Sequence, residues 1–183
     1  MERMMKDMAA GETIFVGPLS AVEDLASRRR IGHLVTLIND QTEVATPGTI
    51  LPGRHLRLSM NDIAEPKPGL VPPAPEHIVQ LIDYVSDWDG KHPMLIHCWA
   101  GVSRSTAAAF ITLCALNPDV DEHHIARLLR RASPTASPNP RLVGLADATL
   151  ERGGRMVEAV AAIGLGAMTM EAPVFSLPAR LPG

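Results

Sequence analysis

The segment Met94-Leu95-Ile96-His97-Cys98-Trp99-Ala100-Gly101-Val102-Ser103-Arg104-Ser105-Thr106-Ala107-Ala108-Ala109-Phe110-Ile111 changes character twice. Met94-Leu95-Ile96 reads as a buried strand, and the alanine-rich run from Ser105 to Ile111 reads as a helix. The loop between strand and helix must then aim several backbone N–H groups at one point, which makes an anion cradle of Trp99, Ala100, Gly101, Val102 and Ser103. Five residues separate Cys98 from Arg104. That is enough chain to wrap three phosphate oxygens and bring back a guanidinium that grips two of them. Gly101 supplies the turn. The same N–H groups, the helix N-terminus and Arg104 would stabilise a thiolate at Cys98, giving a nucleophile at neutral pH.

Outward from this centre, strands alternate with helices. Thr13 to Gly17 is a short β-prone run. Pro18 breaks it, and Ser20 with Glu23 forms a capping box for a helix to about Arg29. Leu34-Val35-Thr36-Leu37-Ile38 is nearly continuous and β-branched, the pattern of a strand covered on both faces. Asn39 to Gly53 is a connection. His55-Leu56-Arg57-Leu58 alternates like another strand and ends at Asn61-Asp62. Ile63 to Pro75 holds five prolines and forms a loop of restricted shape. Pro75 opens a helix with Ile78, Val79, Ile82, Val85 and Trp88 at helical spacing.

Beyond the central helix, closed by Asn117-Pro118, Asp119 and Glu122 make a second capping box for a helix to about Arg131. Its apolar stripe is Ile125, Leu128 and Leu129, with His123 and His124 toward solvent. Ser133 to Pro140 is a loop, and Pro140 starts a last helix that Gly153-Gly154 interrupts and 156–163 resumes. The expectation is an α/β fold with a mainly parallel central sheet flanked by helices. Ligands in such sheets bind beyond the strands' carboxyl ends, where Cys98 lies. The chain divides into a loose N-terminus over 1–12, one domain over 13–163 and a C-terminal tail over 164–183 with no assigned element.

The 183 residues, 46% hydrophobic and 20% charged, suit one core. A formal charge of -3 and no long Lys/Arg run argue against a nucleic-acid partner or an anionic membrane. Two cysteines, no basic-then-apolar leader and no apolar run of about eighteen residues point to the cytoplasm. No cofactor is implied. A metal reading of His92, His97 and Cys98 lacks the spacing of zinc ligands. Oligomeric state leaves no mark in the sequence.

The run His97-Cys98, five residues, Arg104, Ser105 resembles the signature of the cysteine-dependent protein phosphatases, over a likeness reaching roughly from Thr13 to Leu150. The resemblance implies hydrolysis of phosphate monoesters through a phosphocysteine, with a phosphorylated protein or small phosphate ester as the partner. In the dual-specificity branch an acid aspartate lies a few tens of residues before the cysteine, and Asp62 falls there. Glu65, then Asp40 and Glu43, are rival acids, and Asn61-Asp62 can also be read as a plain turn. By the same resemblance Ser105 assists the thiolate as a leaving group. Asn139 matches an asparagine that braces the phosphate loop, or else is an ordinary helix cap. His97 would orient the loop backbone.

Departures from the family narrow the substrate. The only tyrosine, Tyr84, sits mid-helix, so the aromatic recognition loop of tyrosine-specific members has no counterpart. The loop lacks the lysine that lipid-phosphate members use, which makes phosphoinositides less favoured. Low-molecular-weight phosphatases carry the loop at the N-terminus, unlike this chain. The dual-specificity type fits best; the alternative is a catalytically idle phosphate-binding regulatory module.

Overall fold

The computed structural model describes residues 12–182, so the N-terminal segment expected to be loose falls, except for Glu12, outside the described residues. Among the described residues five strands form one sheet: β1 (Thr13–Pro18), β2 (His33–Leu37), β3 (His55–Leu58), β4 (Met94–Cys98) and β5 (Phe175–Pro178). Their order is β3-β2-β4-β1-β5, with the first four parallel and β5 antiparallel to β1 at the edge. Among the same residues six α-helices accompany them: α1 (Val22–Arg28), α2 (Pro75–Ser86), α3 (Arg104–Leu116), α4 (Glu122–Ala132), α5 (Pro140–Thr149) and α6 (Arg155–Ile163). The α/β expectation is met.

Alternation along the strands divides the core in two. Ile14, Val16, Val35, Leu37, Met94, Ile96 and Cys98 face the large layer built by α2 to α6. Leu34 and Leu95, with the half-buried Phe15, face the thin layer under α1, where Val22 and Leu25 meet them. Both β2 and β4 are buried at every position, as central parallel strands must be. Helix α3 runs through the middle of the large layer and is buried from Arg104 to Cys114. Ala107, Ala108 and Ala109 let its backbone approach the sheet closely, and Phe110, without exposed surface, fills the space beyond.

Several local expectations change in the folded chain. Ser20 does not cap a helix. A 3₁₀ turn, Leu19–Ala21, intervenes, and Ser20 Oγ donates to Glu171 Oε1 at 2.8 Å. In α2 the buried stripe is Ile78, Leu81 and Val85, whereas Val79 is exposed, because it lies one helical step off that stripe. Trp88 is buried beyond the helix end, its indole N–H donating to the His92 carbonyl. The cap of α4 is Asp121, which accepts from the His124 N–H, not Asp119. Glu122 instead turns inward to Arg152 at 3.1 Å and Arg155 at 3.2 Å. Gly153 and Gly154, both at positive φ, do break the last helix. Asp147 caps the resumption by accepting from the Gly154 and Met156 N–H groups.

The largest departure is the tail. The sequence assigns no element to 164–183, yet Phe175–Pro178 forms β5 and extends the sheet. Four residues closed by a proline carry no periodic signal of their own; the strand exists because β1 offers an unpaired edge.

Candidate active site

Strand β4 ends at Cys98 beside the end of β1, with Cys98 in register with Pro18, so the loop 98–104 emerges at the carboxyl edge of the sheet. Helix α3 begins at Arg104 and points its N-terminus into the loop. Gly101 has φ of 74°, and a Cβ there would lie 2.8 Å from the Gly17 carbonyl carbon. Both the turn and the close approach to β1 therefore demand glycine.

The loop's polarity is sorted by direction. Its carbonyls are held from outside: Trp99 O accepts from Leu19 N at 3.1 Å, Ala100 O from Ala172 N at 2.9 Å and Val102 O from Ser137 N at 2.9 Å. Ser103 O accepts from Asn139 N at 3.2 Å and from Ala107 N at 3.0 Å. Among the described residues, no N–H from Trp99 to Ser103 donates to a backbone carbonyl. Carbonyls fastened outward leave the amides to converge inward, which is the geometry of an anion nest.

Cys98 is buried, and its Sγ lies 3.2 Å from Ser105 Oγ. Arg104 is buried too. Its Nη1 donates to the Met60 carbonyl at 3.0 Å, while its Nε has no protein partner among the described residues. A buried guanidinium with an unused donor is prepared for an anionic acceptor. The other thiol, Cys114, is inert by contrast: burial pushes it up to about 12.

Asp62 is exposed at the loop's rim. Its Oδ1 accepts from Ser103 Oγ and from Asn139 Nδ2, both at 2.8 Å, which leaves Oδ2 as the oxygen available to a proton. Asn139 has two tasks. Its Oδ1 caps α5 by accepting from Arg141 N and Leu142 N, while its amide nitrogen holds Asp62 and its backbone N–H holds Ser103. The cap and the brace, alternatives in the sequence, coexist here. Among the described residues no hydrogen bond joins Glu65 to the loop, and Asp40 and Glu43 line a separate cleft with Thr36 and Arg57. Trp99 is 57% exposed at the mouth.

His97 lies wholly buried behind Cys98. Its Nδ1 is 3.4 Å from the Cys98 carbonyl and its Nε2 is 2.6 Å from Thr36 Oγ1. A carbonyl only accepts, so Nδ1 carries the proton and Nε2 accepts from the Thr36 hydroxyl. Thr36 then accepts from His55 Nε2 at 2.8 Å, and His55 Nδ1 accepts from Arg57 Nη1 at 2.8 Å. Burial above all holds both imidazoles down at about 4, aided by Arg104 at His97 and by Arg57 at His55. The relay is neutral at pH 7. Thr36 and His55 belong to this support, and nothing in their sequence context marks them for it.

The molecule's other clefts lie elsewhere. One of about 260 Å³ is lined by Arg30, Arg54 and His92 at the opposite edge of the sheet and contains no cysteine. A phosphoryl group needs converging donors more than it needs volume. Among the described residues no group of three His, Cys, Asp or Glu side chains is gathered to hold a metal ion.

The model of the protein-tyrosine phosphatase family matches residues 66–135, a span that includes Cys98 to Ser105 but stops short of Asp62. No curated protein sequence matches the chain. The structure of the Cydia pomonella PTP-2 phosphatase is similar at TM-score 0.57 and 25% identity, covering 74% of this chain and 84% of that one. Human DUSP28 superposes at TM-score 0.58 with 19% identity, covering 76% and 88%. PTPMT1 in complex with PI(5)P superposes at 0.56 with 14% identity, covering 83% and 92%. The sequence match over 66–135 and the shared fold are consistent with the cysteine-dependent, protein-tyrosine-phosphatase-like family, and they support a phosphatase of the tyrosine or dual-specificity type.

Proposed function

We propose that the chain hydrolyses phosphate monoesters through a phosphocysteine at Cys98, with Arg104 as the clamp and Asp62 as the acid. The observation that carries this reading is the sorting of the loop, with its carbonyls bound by neighbouring segments and its amides left without backbone acceptors, around a buried thiol and an underused guanidinium. The Cys98 thiolate attacks phosphorus, and the bond to the ester oxygen breaks as Asp62 Oδ2 gives that oxygen its proton. Arg104 and the amides of Trp99 to Ser103 hold the equatorial oxygens while charge spreads over them. Water then attacks the phosphocysteine, Asp62 takes its proton, and Cys98 leaves as thiolate with the Ser105 hydroxyl donating to sulfur. His97 keeps the backbone of Cys98 oriented and takes no proton at neutral pH.

The substrate is a phosphorylated protein or a small phosphate ester. The mouth supports the dual-specificity type, since Tyr84 lies away from it, donating to the Arg54 carbonyl. The loop lacks a lysine for a second phosphate, which weighs against a phosphoinositide. No described helix is long and apolar enough to cross a membrane. A thiol nucleophile fits a reducing compartment, for which the cytoplasm is the proposal.

The deciding experiment is turnover of an aryl phosphate by the wild type and by Cys98→Ser, with vanadate affinity measured on both. The expected result is turnover lost with vanadate binding kept. A variant as active as wild type would sink the mechanism, and a wild type that binds vanadate without hydrolysing any ester would favour the idle binding module.

A further inference from the structure

Residues 164–174 form a strap outside the span matched by the family model, leading from α6 to β5 and touching the loop 98–104 at Ala100. The strap is fastened at both ends. At its start, Arg130 donates to the Gly164 carbonyl at 2.7 Å, Gly166 N donates to Ser137 Oγ at 2.9 Å, and Ala167 N donates to the Pro134 carbonyl at 2.9 Å. Gly166 lies so close to this neighbour that a Cβ would stand 2.4 Å from the Thr135 carbonyl carbon. At the far end Ala172 is buried and donates its N–H to Ala100 O, while Glu171 accepts from Ser20.

The two ends reach the loop by different routes. Ser137, held by the strap's start, donates its own N–H to Val102 O. Ala172 contacts Ala100 O directly. Between them the strap governs the carbonyls on either side of Gly101. A third contact backs this up: Val174 Cγ2 would lie 3.0 Å from a Cβ on Gly17, and Gly17 lies 2.8 Å from one on Gly101. The end of β1 is therefore sandwiched between strap and loop.

We propose that this strap is a positioning element of the active site, and that Ala172 is its critical residue, acting through the backbone of Ala100. A carbonyl held outward by Ala172 commits the peptide unit Ala100–Gly101, so that the Gly101 N–H at its other end faces the anion. Freed, that unit can rotate, because Gly101 is the one loop residue without a side chain to resist it. The effect falls on oxyanion binding and on the thiolate, both of which depend on the amides converging. The inference assumes a phosphate loop, as the proposed function does, but its test does not require turnover.

The test uses the full chain with Ala172→Pro, which removes the donor, and Ala172→Gly, which keeps it. Vanadate affinity, the rate of Cys98 alkylation by iodoacetamide at pH 6 relative to pH 9, and the thermal midpoint are measured. Ala172→Pro should weaken vanadate about tenfold, the worth of one net hydrogen bond, and lower the relative rate at pH 6, while Ala172→Gly stays within about twofold. Gly166→Val is the second variant should proline disturb folding: it displaces the strap's start, keeps the Ala172 N–H and should produce both shifts in smaller measure. Wild-type vanadate binding and alkylation in Ala172→Pro and Gly166→Val would overturn the proposal. So would losses that only track a fallen thermal midpoint. A wild type that hydrolyses no ester, with variants that still show these shifts, would end the phosphatase reading and leave the strap's role standing.

Discussion

The two halves of the candidate site are built in opposite ways. The loop 98–105 belongs to the core: Cys98, Gly101, Arg104 and Ser105 are buried, and its carbonyls are fastened by the turn after β1, the strap and the 133–139 loop. The segment 59–73, which bears Asp62, is mostly exposed and largely self-contained, with Asn61 N donating to Val71 O at 2.7 Å and Val71 N returning to Asn61 Oδ1 at 2.8 Å. Ser103 and Asn139 tie Asp62 to the site, and Arg104 reaches the Met60 carbonyl. A nucleophile needs a rigid field around it before substrate arrives, whereas a proton donor has to meet leaving groups of different shapes. The first is held by many backbone bonds and the second by a few side-chain bonds that can be made and broken.

The sharpest break between the halves should come from Arg104→Lys. A point charge cannot reproduce the fork, so turnover of every substrate should fall by ~10³ or more whatever the leaving group. Steady-state kinetics on a nitrophenyl and an alkyl phosphate would check this, and a modest, substrate-dependent loss would mean that the clamp lies elsewhere.

Asp62→Asn should act on the other half alone. Substrates with very acidic phenols should be nearly unaffected, while alkyl or unactivated phenyl phosphates lose ~10² or more, the worth of general acid catalysis. A plot of rate against leaving-group acidity, steep in the variant and shallow in wild type, is the expected signature. A uniform loss would make Asp62 a turn residue and move attention to Glu65.

Asn139→Ser separates cap from brace. Serine caps α5 nearly as well, so stability should change by less than about 1 kcal/mol, but the amide that holds Asp62 is gone. Poor leaving groups should slow several-fold, about the value of one hydrogen bond, with good ones unchanged.

The smallest effect at neutral pH belongs to the buried relay. Unfolded histidines bind protons near 6.5, whereas His97 and His55 in the fold do so at about 4. The unfolded chain therefore takes up protons that the native state refuses, and stability falls as pH drops from about 6.5 to about 4, then levels off. His97→Gln should flatten that slope by up to about 1.4 kcal/mol per pH unit, read from urea unfolding at a series of pH values. An unchanged slope would mean that His97 is already charged in the fold.

Much of the loop was legible because its chemistry and its local structure coincide in one short run. Strand, glycine turn, arginine and helix follow within a few residues, and each acts on its sequence neighbours. Asp62 was legible only through family resemblance and its place after a strand, since its partners Ser103 and Asn139 lie 41 and 77 residues away. Asn139 carried both readings in the sequence, the brace through family resemblance and the cap through its place before Pro140, and what the sequence lacked was that the two are compatible. Ser20 and Asp119 misled for a matching reason: a cap motif records what a side chain can do locally, and in this fold Ser20 reaches Glu171, while α4 starts two residues later than Asp119 would place it.

By itself the sequence determined the α/β alternation, the central strands and the tight loop from Cys98 to Arg104 between strand and helix, because periodicity, proline placement and short-range spacing act along the chain. Only the tertiary structure decided that Thr36 and His55 stand behind His97, that Met60 meets Arg104, and that the tail returns as β5 with its strap against Ala100. Those contacts are made by backbone amides, carbonyls and lone polar side chains brought together from distant positions. A backbone N–H is the same at almost every residue, so no side-chain pattern marks the ones that packing will bring to the site.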